Sequence, residues 1–157
     1  RCGMMRAIGR RGGSGVVRQT RHELRDKMNS AIEIHDSTLQ RIEVSGDEVV
    51  ATLDAYIHRS PGRPGVDRGT GWSQLVQVRF ARGQVRGSVS EMPMELLDGR
   101  LVLSGNTHEN TISIPLDHAG PSRLELESWN ERRVTIEGQG VSCQLAGPAT
   151  YVEDFEP

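Results

Sequence analysis

The chain has 157 residues, 25% of them charged, and a formal net charge of −2, which is typical of one globular domain with its own core. It holds no apolar run near the roughly 18 residues that a membrane-spanning helix needs, so we expect no membrane partner. Two cysteines, Cys2 and Cys143, are too few for a disulfide framework and favour a reducing, cytoplasmic compartment.

The charge is divided unevenly along the chain. Residues 1–27 hold eight basic and two acidic side chains, a net of +6, so residues 28–157 keep 11 of the 19 basic and 19 of the 21 acidic side chains, a net of −8. The first segment has no apolar run that could form a core element or a secretory signal. We expect a basic disordered tail, an amphipathic transit peptide, or translated sequence upstream of a true start at Met28. We favour the last, because Met28 leads directly into strand-like alternation.

From Met28 onward, apolar and polar residues alternate with a period of two, which is typical of strands with one buried and one wet face. The clearest runs are 32–34, 49–57, 76–80, 101–103, 112–116, 124–126, 134–136 and 141–145. Turn-forming residues separate them, at 45–47, 82–83, 98–99, 104–106, 118–121, 130–131 and 138–140. The pattern predicts an all-β fold: a single antiparallel β-sandwich or barrel of about nine or ten strands over residues 28–157. The best helix candidate, residues 91–97, is limited by Pro93.

The stretch from Tyr56 to Trp72 departs from this alternation. It holds two prolines, four glycines, three arginines and Asp67, and it predicts a long loop with one shape. One interpretation is an anion site, in which glycine N–H groups and the arginines hold a carboxylate or phosphate. The other, which we favour, is a self-packed loop in which Asp67 pairs with an arginine and Trp72 plugs one end of the β-structure. The arginines are Arg59, Arg63 and Arg68.

Alternation also groups polar residues on one face. If the apolar positions of the second strand face the core, Tyr56 and His58 share the opposite face and lead into the loop. His35 points away from the core by the same logic, and Asp36 follows it. These four residues form either a polar cluster beside the loop or a solvated outer face, and the sequence leaves both open.

Motifs of known chemistry are missing from the sequence. It contains no Gly-x-Ser-x-Gly, His-Glu-x-x-His, Cys-x-x-Cys or dinucleotide fingerprint, so no cofactor and no metal is predicted. Four of the five histidines adjoin a carboxylate in the sequence, but neighbours on a strand point to opposite faces. A His-plus-carboxylate metal site assembled from several strands has no local spacing rule and stays open. Nucleic acid is not an expected partner, because the domain is acidic and its six aromatic residues are scattered.

Three segments carry a resemblance. They are Ile34-His35-Asp36-Ser37-Thr38-Leu39, the Tyr56 to Trp72 stretch, and Tyr151-Val152-Glu153-Asp154-Phe155. Together they resemble a family of small uncharacterised bacterial β-rich proteins, which implies a bacterial, cytoplasmic β domain and no assigned activity. A fainter similarity links the His-Asp doublet, followed by a strand and hairpin, to some toxin-immunity-type β domains.

Two classes of function follow from these observations. The first is a non-enzymatic module that binds a protein partner or a small acidic ligand through the loop and the Tyr56 face. The second is an enzyme with His58 or His35 as general base, oriented by Asp36 or Asp67, and Arg59 or Arg63 holding an anion. The predicted ligand-binding residues are His35, Asp36, Tyr56, His58, Arg59, Arg63, Asp67, Arg68 and Trp72. A homodimer through a sheet edge also stays open, with Arg79, Arg82 and Arg86 as charges that would protect an edge.

Overall fold

The computed structural model describes residues 28–157, which form nine antiparallel β-strands and no helix. The all-β prediction is confirmed, whereas the expectations for the basic segment 1–27 fall outside the described residues. The strands are β1 (Asn29–Ser45), β2 (Glu48–Ser60), β3 (Gly69–Phe80), β4 (Gln84–Gly87), β5 (Met94–Leu103), β6 (Asn106–Glu109), β7 (Thr111–Ile114), β8 (Asp117–Ser128) and β9 (Arg133–Phe155). Across this part of the chain, nothing helical is long and apolar enough to cross a membrane.

All nine strands belong to one sheet, which closes partly into a ring. The strand order is β6-β5-β8-β9-β3-β2-β1-β7, and β4 is added to β9. The ring closes because β1 also pairs with β5, through Thr38 with Glu95 and Leu39 with Met94. Closure of this kind encloses one core, so the architecture is barrel-like, although β4, β6 and β7 each pair with a single strand and keep one edge unpaired among the described strands.

The interior of the ring is filled by the apolar residues that alternation predicted. On β3, Val76, Val78 and Phe80 are fully buried. The matching positions of β2 are Val49, Ala51, Leu53, Ala55 and Ile57. Burial of one large aliphatic or aromatic side chain stabilises a fold by about 1.5–3 kcal/mol, so this inward face fixes the register of β2 against β3.

One predicted turn is wrong. Residues 138–140 lie within β9, which runs without a break from Arg133 to Phe155. A Cβ at Gly138 would come within 2.8 Å of the Ala81 carbonyl oxygen, so this glycine permits a close backbone approach rather than a reversal of the chain. The strand can be so long because it changes neighbours: its first half pairs with β4 and β8 and its second half with β3.

A second predicted turn, at residues 118–121, is also wrong. These residues lie within β8, at a shift of register against β9 between Ala119 and Ser122. Gly120 adopts a φ of +129°, and Pro121 has no N–H to contribute to the ladder, so both residues are suited to a bulge. The predicted turn at residues 98–99 is wrong as well, because both residues lie within β5, at a shift of register against β8 between Leu96 and Asp98. The helix candidate at 91–97 is not a helix, because β5 begins at Met94.

The three arginines considered as edge protection occupy different places. Arg79 lies inside the sheet, on β3 between β2 and β9, and its guanidinium donates to Glu48 Oε1 at 3.0 Å. Arg82 follows the end of β3, and Arg86 lies on β4, which pairs with β9 among the described strands. Only Arg86 therefore has the position that edge protection requires.

Candidate functional site

A bulge in β1 shapes the outer surface of the barrel near the loop. Glu33 pairs with Tyr56 and Thr38 pairs with Asp54, so four residues of β1 stand opposite a single residue of β2. The Ser37 hydroxyl bridges the gap, because it donates to the Glu33 carbonyl at 2.7 Å and accepts from the Tyr56 N–H at 3.1 Å. A serine hydroxyl thus replaces the ladder bonds that the bulge removes.

The bulge brings two neighbouring side chains together at the surface. His35 Nε2 lies 3.0 Å from Asp36 Oδ2 and 3.9 Å from Glu33 Oε2. The His35 and Asp36 side chains are 45% and 51% exposed, whereas that of Glu33 is only 13% exposed. On a regular strand, adjacent side chains point to opposite faces. That rule does not separate His35 from Asp36, because the bulge interrupts the alternation.

Tyr56 extends this polar surface toward the C-terminal strand. Its hydroxyl donates to Glu153 Oε1 at 3.0 Å. Burial, the hydrogen bond to Glu153 and the negative charges of Glu153, Glu33 and Asp36 together raise the pKa of Tyr56 to about 12. A side chain at Gly71 would overlap the Tyr56 ring, so the absence of a Cβ there lets the phenol lie flat across β3.

His58 lies beneath the loop and is fully buried. The Gly65 N–H donates to its Nδ1, and its ring packs against Phe155 with ring centroids 4.5 Å apart. An accepting Nδ1 assigns the proton to Nε2 in the neutral ring, and Nε2 has no hydrogen-bond partner in the part of the chain that the structure describes. The loop therefore covers this histidine and separates it from solvent.

Glu33 joins the exposed and the buried histidine. Its Oε2 faces His35, and its Oε1 lies 3.3 Å from His58 Nδ1. Because that nitrogen already accepts from Gly65, it presents no proton to the carboxylate, and Glu33 Oε1 is buried without a hydrogen-bond donor among residues 28–157. Of the four residues predicted to cluster, His35 and Asp36 therefore meet Glu33 at the exposed surface, Tyr56 is paired with Glu33 across the two strands, and His58 is buried on the other side of Glu33.

The loop itself is held by internal bonds. Asp67 Oδ2 accepts from the Arg63 N–H at 2.6 Å, and the Asp67 N–H donates back to the Arg63 carbonyl at 2.8 Å. The Ser60 hydroxyl donates to the Arg68 carbonyl at 2.7 Å and accepts from the Gly62 N–H at 3.0 Å. These contacts agree with the self-packed interpretation of the stretch and with its internal Asp67 pairing.

Each of the three predicted anion-binding arginines already has a partner within the chain. Arg63 Nε lies 3.8 Å from Asp67, and an Arg68 nitrogen lies 3.3 Å from Glu156. The Arg59 guanidinium stacks 4.7 Å above the Trp72 ring. The arginines point to different partners and do not converge on one anion site.

Trp72 and Arg59 belong to the inward side of the barrel end. Trp72 pairs with Ile57 and packs against the core. Its indole N–H donates to Thr70 Oγ1 at 2.8 Å. The Tyr151 ring contacts the indole edge-on, with ring centroids 5.5 Å apart. Trp72 therefore closes one end of the β-structure. The predicted site residues consequently divide among this end of the barrel, the outer face of the strands and the loop 61–68.

Neither of two open hollows on the described surface is lined by a predicted site residue. One, of about 440 Å³, lies between Arg82 and Arg123, and the other, of about 390 Å³, lies over Gly99. The predicted residues thus contribute to a surface rather than to these hollows.

Three residues of the site were not predicted: Glu33, Glu153 and Phe155. Each became important through a pairing between distant strands, β1 with β2 and β3 with β9. The only local signal was the position of Glu33 between two core isoleucines, which placed it on the outer face. Comparison of the chain with protein-family models, with curated proteins and with solved structures gives no match.

Proposed function

We propose that this protein is a non-enzymatic binding module whose partner is a protein that presents basic side chains. The contact surface, here called the bulge face, consists of Glu33, His35, Asp36, Tyr56 and Glu153, with the loop 61–68 beside it. The observation that carries the proposal is the charge of this face. Within residues 28–157, Glu33, Asp36 and Glu153 form no ion pair with an arginine or lysine.

The rest of the described chain supports a basic partner. Residues 28–157 carry a net charge of −8, and a field of that sign steers a basic protein toward the surface. A partner arginine or lysine would form charge-assisted hydrogen bonds with the three carboxylates. A small acidic ligand has less support, because the loop arginines already have partners and do not converge.

Apolar side chains are exposed on the loop and on the strand that carries Glu153, and they would add contact area. Val66 at the tip of the loop and Tyr151 and Val152 on β9 are each about half exposed. Protein interfaces combine such apolar and aromatic anchors with a polar rim. The face thus offers both charge recognition and burial of apolar surface to a protein partner, in the manner of an acidic immunity-like protein that neutralises a basic one.

The enzymatic alternative has less support. A general base must reach the proton that it removes, and His58 is sealed beneath the loop. Asp67 is bound within the loop, and the exposed His35 lies on a bulge outside the two hollows. Catalysis, the resemblance to a bacterial family and a cytoplasmic location all stay predictions.

The test is a comparison of bound proteins between two doubly neutralised variants of the full chain. In Asp36→Asn with Glu153→Gln the bulge face loses two charges. In the control, Asp47→Asn with Glu131→Gln, the same net charge is removed from two exposed turns. Each chain is immobilised and exposed to a bacterial lysate, and the proteins that it retains are quantified at low and at high salt.

We expect at least one basic protein to bind the unmodified chain and the control, to be lost from the bulge-face variant, and to dissociate as salt is raised. Equal loss from both variants would show that net charge alone is recognised. Unchanged binding to the bulge-face variant would refute the assignment of the surface.

A further inference from the structure

The side chains of Glu33, His35 and Asp36 offer three ligand atoms within 4.8 Å of one another. One is an imidazole nitrogen and two are carboxylate oxygens. Carboxylates alone are common on acidic surfaces, but an imidazole among them is a ligand that transition metals prefer. The bulge in β1 creates this grouping, because it places three side chains from one strand on the same side.

The spacing of these atoms suits a single small cation. Zinc binds nitrogen and oxygen ligands at about 2.0–2.2 Å, so two ligands at tetrahedral or right angles lie about 3.0–3.5 Å apart. The His35 Nε2 to Asp36 Oδ2 distance of 3.0 Å falls in this range. The His35 Nε2 to Glu33 Oε2 distance of 3.9 Å requires only a small movement, which the half-exposed His35 side chain can make toward the mostly buried Glu33.

A second observation points independently to a missing positive charge. Glu33 Oε1 is buried and accepts no hydrogen bond from residues 28–157, and His58 Nδ1, which lies 3.3 Å away, already accepts from the Gly65 N–H. His58 is fully buried, and within the described part of the chain its Nε2 has no hydrogen-bond partner. A buried carboxylate without a donor or a counter-charge is costly, and a cation on the other oxygen of Glu33 would compensate it.

The surroundings add further negative charge. Glu153 lies across Tyr56 from this group, and the charges of Glu33 and Asp36 contribute to the raised pKa of the Tyr56 phenol. Among residues 28–157, the ion pairs of Glu33 and Asp36 involve histidines alone. The local field therefore favours a cation at the bulge.

We propose that Glu33, His35 and Asp36 form a site for a divalent transition-metal ion of the Zn²⁺ class. The imidazole nitrogen favours Zn²⁺, Co²⁺ or Ni²⁺ over Mg²⁺ and Ca²⁺, which prefer oxygen ligands. Three protein ligands leave at least one coordination position for water or for a group from a partner. This proposal does not rest on the proposed function, because it concerns the isolated chain.

The test is calorimetric titration of the full chain with Zn²⁺. Cys2 and His22 are replaced in every sample by Ser and Gln, because thiol and imidazole groups in the basic segment would compete for Zn²⁺. His35→Gln and Asp36→Asn remove one ligand each. The matched control is His108→Gln, which alters another exposed histidine that also precedes a carboxylate, Glu109.

We expect one equivalent of Zn²⁺ to bind the parent and the control, and a loss of at least about tenfold in affinity in both site variants. Titration with Mg²⁺ is expected to give much weaker binding. Equal affinity in the parent and in His35→Gln would overturn the site, as would the absence of Zn²⁺ binding to the parent.

A measurement on the unsubstituted site provides an independent check, with His35→Gln used only to assign the resonance. In the chain labelled with ¹⁵N-histidine, Zn²⁺ should shift the Nε2 resonance of one imidazole, and this resonance should be absent in His35→Gln. No shifted imidazole, or a shift that persists in that variant, contradicts the proposal even if a site variant is unstable.

Discussion

The two connections of β2 use glycine for different reasons. Before the strand, Gly46 and Asp47 form a two-residue turn between the paired residues Ser45 and Glu48. Gly46 has a φ of +62°, and a Cβ there would meet nothing within 4 Å. After the strand, the eight-residue loop 61–68 is followed by Gly69, where a Cβ would overlap the Arg59 carbonyl and approach His58 Nε2 within 2.6 Å.

The difference separates a turn that only reverses the chain from a loop that covers something. In the first, glycine provides a backbone conformation that other residues adopt at a cost. In the second, glycine provides space for a buried histidine and for neighbouring backbone. The short turn covers no side chain, whereas the long loop covers His58 together with Phe155 of β9 and is bonded to Asn29 of β1.

The largest expected effect comes from filling the two glycine positions. Gly69→Ala should destabilise the fold by about 4 kcal/mol or more, because the added methyl overlaps a carbonyl of the paired strand. Gly46→Ala should cost about 1 kcal/mol, since it adds left-handed strain without a contact. Chemical denaturation of both variants gives the two free energies of unfolding. Similar values for both would remove the distinction between the connections.

Removal of the His58 imidazole, which the loop covers, tests how much this buried side chain stabilises the loop. His58→Ala should reduce the free energy of unfolding by about 2–3 kcal/mol, because it leaves a cavity under Phe155 and the Gly65 N–H without an acceptor. The control is His108→Ala, an exposed histidine on β6, which should change stability by less than about 0.5 kcal/mol. Denaturant midpoints measure both. An equally mild effect of His58→Ala would mean that the loop does not depend on the imidazole.

The sequence predicted the short-range features and missed those that depend on strand pairing. Alternation located the core face of β2 and β3, because a period of two directly reflects burial. It could not show that Glu33 lies opposite Tyr56, or that Phe155 covers His58, since those contacts depend on which strands are neighbours. The glycines at 138 and 140 predict a turn, but a strand glycine that must pack closely against a neighbouring backbone gives the same signal. Gly138 is such a residue, because the Ala81 carbonyl occupies the space of its missing side chain.

A smaller effect is expected from opening the loop itself. Asp67→Ala removes the acceptor of the Arg63 N–H and should lower stability by about 1 kcal/mol. The change should be local, so trypsin should cleave after Arg68 faster than in the parent chain while the barrel core stays resistant. Asp47→Ala in the short turn is the control and should leave the cleavage rate unchanged. Faster cleavage in the control would indicate general destabilisation rather than loop opening.

The smallest expected effect is a change of one pKa at the loop end of β2. The pKa of Tyr56 is about 12, against an ordinary value of 10.0, chiefly through burial and then through the hydrogen bond to Glu153. The chain has two tyrosines, so in a Tyr151→Phe background an ultraviolet titration follows Tyr56 alone. Glu153→Gln should lower this pKa toward 10 without reaching it, because burial remains.

The sign of the stability change follows from the raised pKa. Between pH 10 and about 12, the unfolded chain releases the phenol proton before the folded chain does, so the free energy of unfolding falls as pH rises. Below pH 10 this contribution is fully present. Glu153→Gln should narrow the pH range of that fall. An unchanged pKa of Tyr56 in Glu153→Gln would mean that Glu153 of β9 does not bond to the phenol on the outer face of β2. The loop end of β2 would then lack the contact with β9 that distinguishes it from the end that carries the short turn.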